Sequence, residues 1–265
     1  MLSVVILTLN SEKYLAEVLK SCEFADEVVV VDSGSQDATE QICAGFKNVK
    51  FHKQKWLGFS AQKQLGVDLA RNRWVFVLDS DEVILEPLRE EILQILQRPE
   101  FCAYEAARAN IFFGKEVRTM GLYPDCTVRL FDKTQAEFDG REIHEKVVLK
   151  SAAKTGDQIP ADAANGANLT AAKNQIGRLK NHFKHYAYDS IEQFIAKQNR
   201  YSSLGAKGAK SSKFKAVLNP AWTFFKLFFL KGGWREGWRG YVIARLYAQY
   251  TLWKYVNGKI KKSKS

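Results

Sequence analysis

Residues 74–81 read Trp74-Val75-Phe76-Val77-Leu78-Asp79-Ser80-Asp81, an unbroken apolar row that ends on two carboxylates flanking a serine. A row without polar alternation suits a strand covered on both faces, as strands of a parallel sheet are. The same kind of row recurs upstream at Ser3–Leu9, at Glu27–Asp32 (EVVVVD) and, more briefly, at Val49–His52. Between the rows lie segments with helical spacing. Ser11–Cys22 puts Tyr14, Leu15, Val18 and Leu19 on one face, and Asp37–Phe46 and Ser60–Ala70 follow. Strand and helix in strict turn predict an α/β chain with an open, doubly wound parallel sheet.

In such sheets ligands bind beyond the carboxyl ends of the strands. Three of the four predicted strands end on polar groups: Thr8 and Asn10, Asp32-Ser33, and Asp79-Ser80-Asp81-Glu82. Two carboxylates two residues apart at a strand end suit one hard divalent cation, Mg²⁺ or Mn²⁺, whose other ligands are diphosphate oxygens and water. Asp32 closes the second strand before a turn at Gly34, where it is placed to accept from a base edge or a ribose hydroxyl. Asp37 reads as a cap for the next helix.

Downstream, residues 84–98 predict a polar surface helix and 103–150 a mixture of strands and loops. Residues 151–172, rich in Ala, Gly, Asn and Asp, predict a mobile loop or insertion, and 188–204 a helix. From Lys213 the composition changes: Trp222, Phe224, Phe225, Phe228, Phe229, Trp234, Trp238 and Tyr241 are interleaved with Lys and Arg. The net charge of +11 divides unevenly, since residues 1–172 hold 20 basic and 26 acidic side chains and residues 173–265 hold 20 and 3. The expected domains are therefore 1–183 and a helical basic region, 184–265, that faces a membrane.

The four cysteines (Cys22, Cys43, Cys102, Cys126) lack paired spacing and predict free thiols in a reducing compartment. No run approaches the roughly 20 apolar residues of a membrane span, and the N-terminus lacks the pattern of a secretory signal. Gly205–Ser211 fails the phosphate-loop spacing.

As a set, SVVILTLN at 3–10, VVVDSGSQD at 29–37, GFSAQKQLGVDLARNRWVFVLDSDE at 58–82, RLFDK and REIHEKV resemble the inverting family 2 glycosyltransferases of the GT-A (Rossmann-like) fold. Trp56, Gly58 and Phe59 before Gln62-Lys63, His185-Tyr186-x-Tyr188 and the aromatic–glycine tail at 222–241 are more narrowly similar to the bacterial β-1,4-glucosyltransferases that extend a heptose of the lipopolysaccharide inner core. The resemblance implies that Thr8, Asn10 and Asp32 hold the nucleoside of a nucleotide sugar, UDP-glucose, that Lys63 approaches its diphosphate, and that Asp79 touches ribose or metal. It implies Asp81 as a metal ligand and His185 as the residue completing the shell. An inverting transfer needs one general base on the acceptor hydroxyl. By the resemblance Glu145 stands there, with Glu142 and His144 as alternatives.

The expected partners are that donor, a lipid-linked saccharide acceptor and the cytoplasmic face of a membrane, met by an interfacial C-terminal region. Rival readings are a transferase acting on polyprenyl phosphate or a protein, and an RNA-binding protein using the basic aromatic tail.

Overall fold

The computed structural model describes residues 1–141, 145–150, 176–205 and 213–262. The expected loop at 151–172 and the alternative bases Glu142 and His144 lie outside these residues. Strands β1 (Leu2–Thr8), β2 (Glu27–Asp32), β3 (Val49–Lys53) and β4 (Trp74–Asp79) run parallel in the order β3-β2-β1-β4. Helices α1 (Glu12–Ser21), α2 (Thr39–Ala44) and α3 (Phe59–Leu69) form the crossovers. The apolar rows behave as an internal parallel sheet requires: Val4–Ile6, Val28–Val31 and Val75–Leu78 are buried on both faces.

Helix α2 is shorter than its expected span of 37–46, for a local reason. The Asp37 carboxylate accepts from Thr39 N (3.1 Å) and Thr39 Oγ1 (2.6 Å), which keeps Asp37 and Ala38 out of the helix, so that it begins at Thr39. Asp37 also accepts from Glu12 N, while Glu12 accepts from Ala38 N, both at 3.0 Å. The starts of α1 and α2 are tied reciprocally.

Gly66 sets how closely α3 lies on the sheet. A Cβ there would stand 2.4 Å from Val5 Cγ1, so any side chain would force the helix outward. Lys63, three residues earlier on the same helix, depends on that approach.

Beyond β4 the sheet turns antiparallel. After β5 (Glu82–Val83), α4 (Glu86–Gln97), β6 (Ala103–Phe112) and β7 (Lys115–Glu116), strand β8 (Asp125–Asp132) returns beside β4 with Phe76 opposite Leu130. The order continues through β6 and β11 (Ile176–Tyr188) to β5. Strands β9 (Ala136–Phe138) and β10 (Val147–Leu149) make a separate antiparallel pair.

The chain divides into two compact units, residues 1–108 with 126–185 and residues 109–125 with 186–265. Nothing in the sequence sets 109–125 apart from its neighbours. In the second unit, α5 (Ile191–Gly205), α6 (Lys213–Phe225), a π-turn (Lys226–Leu230), a 3₁₀ turn (Gly233–Glu236) and α7 (Trp238–Lys262) follow in order. Phe112, Val117, Met120, Tyr188, Phe194 and Ile243 form its core. Helix α5 starts three residues later than expected because β11 runs on to Tyr188, whose carbonyl accepts from Phe113 N at 2.9 Å. Among the described residues, no helix is long and apolar enough to cross a membrane.

Candidate active site

Parallel register fixes the geometry of the sheet edge. Thr8 pairs with Asp32 and Leu7 with Asp79, so β1, β2 and β4 end side by side. With strands about 4.8 Å apart, the ends of β2 and β4 stand about 10 Å from each other across β1.

On the β2 side, Thr8, Asn10 and Asp32 form one hydrogen-bonded cradle with residues 33–36. Asp32 Oδ1 accepts from Gly34 N (2.9 Å) and Ser35 N (2.8 Å), and Oδ2 accepts from Thr8 Oγ1 (2.8 Å) and Ser35 Oγ. Burial pushes the Asp32 carboxyl up, but the Ser35 hydroxyl and N–H, with Thr8 and Gly34, outweigh it and hold the group below the ordinary carboxylate range. These four donors fill the acceptor positions of a carboxylate. The sequence presented Asp32 as an open acceptor for a base or ribose; the structure has it organising the turn. Asn10 adopts a left-handed conformation (φ 49°), which Asn tolerates better than most residues. Its N–H donates to Ser35 Oγ (2.8 Å) and its Oδ1 accepts from Gln36 N (2.9 Å).

On the β4 side, the buried Lys63 ammonium lies 3.3 Å from Asp79 Oδ1 and 2.9 Å from Glu145 Oε1. Glu145 is far away in sequence and is carried there by the β9–β10 hairpin. Two bonds from α3 hold that hairpin: Phe138 N donates to Gln64 Oε1 and Gly140 N to Ser60 Oγ, both at 2.9 Å. Burial pulls Lys63 down, yet the Asp79 charge and, against Arg129, that of Glu145 keep it above its ordinary value. Burial pushes Asp79 up, and Lys63 first, then Arg129, more than reverse this, leaving it well below the carboxylate range. The pair is charged at neutral pH.

Asp81 and His185 meet through the far edge of the sheet. His185 was expected just ahead of a helix; it lies within β11, paired opposite Glu82. Its Nε2 stands 3.7 Å from Asp81 Oδ2, and Ser80 Oγ lies 2.8 Å from Ser11 Oγ, tying the acidic turn to the start of α1. Among the described residues no three His, Cys, Asp or Glu side chains converge as a closed metal cage. A carboxylate and an imidazole this close, with Asp79 one residue beyond Ser80, nonetheless fit a divalent ion that takes its remaining ligands from substrate and water.

Two supporting residues received no role of their own from sequence reading, which named Glu82 only as the last of the polar groups closing β4. Glu82 is fully buried, accepting from Arg129 Nη2 (2.7 Å) and from Asp79 N (2.9 Å), with Arg108 Nη1 at 3.6 Å. Arg129 also donates to Val77 O (3.1 Å), stands 3.8 Å from Asp79 Oδ2 and lies over the Phe183 ring at 5.0 Å. Burial pushes Glu82 up to about 7, against the pull of Arg129 and with a further push from Asp79. The only signal was the acidic residue directly after the motif; its cationic partner arrives on a strand 47 positions later.

Arg129→Met should therefore cost about 3–5 kcal/mol at pH 8, the usual penalty for stripping one partner from a buried pair. The penalty should shrink at pH 6. Burial holds Glu82 above its unfolded value of about 4.3, so stability falls as pH climbs towards the raised value; Arg129 opposes that rise, so without it the carboxyl holds its proton more tightly still and the variant loses more stability than wild type between pH 6 and pH 8. Denaturant titrations of both proteins at the two pH values test this; an equal penalty at each would contradict it.

The family profile "Glycosyl transferase family 2" matches residues 3–147. The lipopolysaccharide core biosynthesis glycosyltransferase LpsC of Rhizobium meliloti is 28% identical over 262 residues, covering 95% of this chain and 89% of LpsC. An uncharacterised glycosyltransferase of Rickettsia bellii is 30% identical, covering 93% of this chain and 82% of its own. The crystal structure of S. aureus TarS 1-349 superposes over all of this chain and 92% of that one, with a TM-score of 0.47 and 17% identity. With over half its length inside the family profile and its strand ends arranged as described, the chain belongs to glycosyl transferase family 2 and has the GT-A fold.

Proposed function

We propose that this glycosyltransferase moves glucose from UDP-glucose, with inversion, onto a heptose of the lipopolysaccharide inner core at the cytoplasmic face of a membrane. The observation that carries this is the meeting of Asp79, Lys63 and Glu145 within 3.3 Å at the edge where β1, β2 and β4 end. The kinship with LpsC over nearly the whole chain supports the acceptor class.

Thr8, Asn10 and the turn organised by Asp32 receive the nucleoside. Asp79 faces ribose or the ion, and Asp81 with His185 would hold a divalent cation, which supplies charge neutralisation for the departing diphosphate. Lys63 exchanges its carboxylate partners for diphosphate oxygens as the donor enters, and the exchange releases Glu145. That carboxylate takes the proton of the acceptor hydroxyl as its oxygen bonds to the anomeric carbon. The bond from that carbon to the phosphate oxygen breaks on the opposite face, and UDP leaves with the electron pair.

The test is transfer from a panel of radiolabelled nucleotide sugars to truncated lipopolysaccharides, with and without chelator. Label is expected to move from UDP-glucose to heptose-terminated acceptors and to stop on chelation. Transfer from another sugar nucleotide alone, or onto free peptide, contradicts the assignment.

A further inference from the structure

We propose that the outer edge of α6 and its π-turn is a membrane-inserting edge for an anionic bilayer surface, with Leu218, Trp222, Phe225 and Phe229 as the side chains that enter it. This rests on the proposal above that transfer takes place at a membrane face, and names the part of the chain that would meet it.

These four positions follow one another at intervals of four, three and four, the spacing of a single helical face. All four are water-exposed, Trp222 at 56% and Phe229 at 52%. The opposite side of α6 is already occupied within its own unit. Asn219 Nδ2 donates to Tyr255 Oη (2.5 Å), Thr223 Oγ1 lies 3.4 Å from Thr251 Oγ1, and Phe224 packs edge-on to Tyr241 at 5.6 Å. Asn219, Thr223 and Phe224 thus face α7, and the apolar row lies on a side with no such partner among these contacts. The π-turn keeps the stripe continuous: Lys231 N bonds to Lys226 O, five residues back, so Phe229 stays near Phe225, with ring centroids 5.3 Å apart. Leu230, Trp234 and Trp238, past Phe229 in sequence, are exposed as well. Scattered exposed hydrophobics are ordinary; a contiguous row is not.

Charge selects the occupant. Residues 213–262 hold eleven Lys and Arg against one acid, Glu236, which is engaged by Lys115 (3.0 Å) and Thr119 (3.2 Å). Lys226, Lys231 and Arg235 are exposed around the stripe. Two copies placed face to face would oppose cation to cation, whereas an anionic leaflet complements them. Trp and Phe flanked by Lys and Arg suit the headgroup–acyl boundary. Leu218, Val217 and Leu230 have no ring to stack on a nucleobase.

The test sediments the full chain with vesicles of phosphatidylcholine alone, or mixed with phosphatidylglycerol, at low and high salt. Wild type should partition onto the anionic vesicles and leave them as salt rises. A Trp222→Ser/Phe229→Ser double variant should bind about tenfold or more weakly, and Trp222→Phe/Phe229→Leu should restore binding, since the property required is apolar area. Lys226→Gln/Lys231→Gln should weaken binding about tenfold or more on anionic vesicles. If the serine variant, folded by circular dichroism, binds like wild type, the edge is wrong while the membrane proposal stands. If wild type binds no vesicle, both fall. Retention of single-stranded RNA without vesicle binding, or a dimer lost in the serine variant, assigns the edge to another partner and overturns the proposal.

Discussion

Glu145→Gln is expected to lower kcat by about 10²–10⁴-fold, the usual contribution of a positioned base, and to leave donor affinity within a few-fold. Glutamine keeps an Oε1 that accepts from Lys63, so the contact holding Glu145 at 2.9 Å survives as a neutral hydrogen bond. The hairpin is fixed separately by Gln64 and Ser60. What the variant loses is the capacity to take a proton. Single-turnover transfer with donor bound isolates that loss. A rate within about threefold of wild type, small beside the contribution of a base, would remove Glu145 from the role and pass it to Glu142 or His144.

Asp81→Ala should be the second large effect, acting on the donor instead of the acceptor. Asp81 is partly exposed, and its charge adds to the push on Glu82, so its removal should leave folding stability unchanged or slightly higher. Transfer should fall by about 10³-fold, the several kcal/mol that a cation supplies to a leaving diphosphate. His185→Ala, which removes the facing imidazole, should cost less, because a substrate-completed ion tolerates one vacant position filled by water. Equal losses in both variants would point to a site closed by protein ligands.

Much of the fold was legible because its signal is local. The apolar rows at 27–32 and 74–79 fix both bounds of β2 and β4, and their terminal carboxylates follow from where the rows stop. Their meeting at one edge follows from parallel order alone. The site was less legible where it depends on distant chain. The Glu82–Arg129 pair needs β8 to return antiparallel beside β4, and no residue near Glu82 announces that. Gln64 holds the hairpin that carries Glu145, a role that becomes visible only once α3 and β9 are adjacent. Asp32 was correctly placed at its strand end, but a sequence cannot show that Thr8, Gly34 and Ser35 have already taken its lone pairs. Helix α2 starts two residues late through the same kind of short-range competition by Asp37.

Calorimetric titration of UDP into the wild-type chain, with Mn²⁺ and then with chelator, puts the sheet edge itself to the test. Binding should be clear with Mn²⁺ and about tenfold or more weaker without it, since Asp81 and His185 would hold an ion that neutralises diphosphate charge. Asp81→Ala in Mn²⁺ should match wild type in chelator. Equal affinity under both conditions would exclude a bridging cation, and no UDP binding under either would mean that the ends of β1, β2 and β4 do not form a nucleotide site.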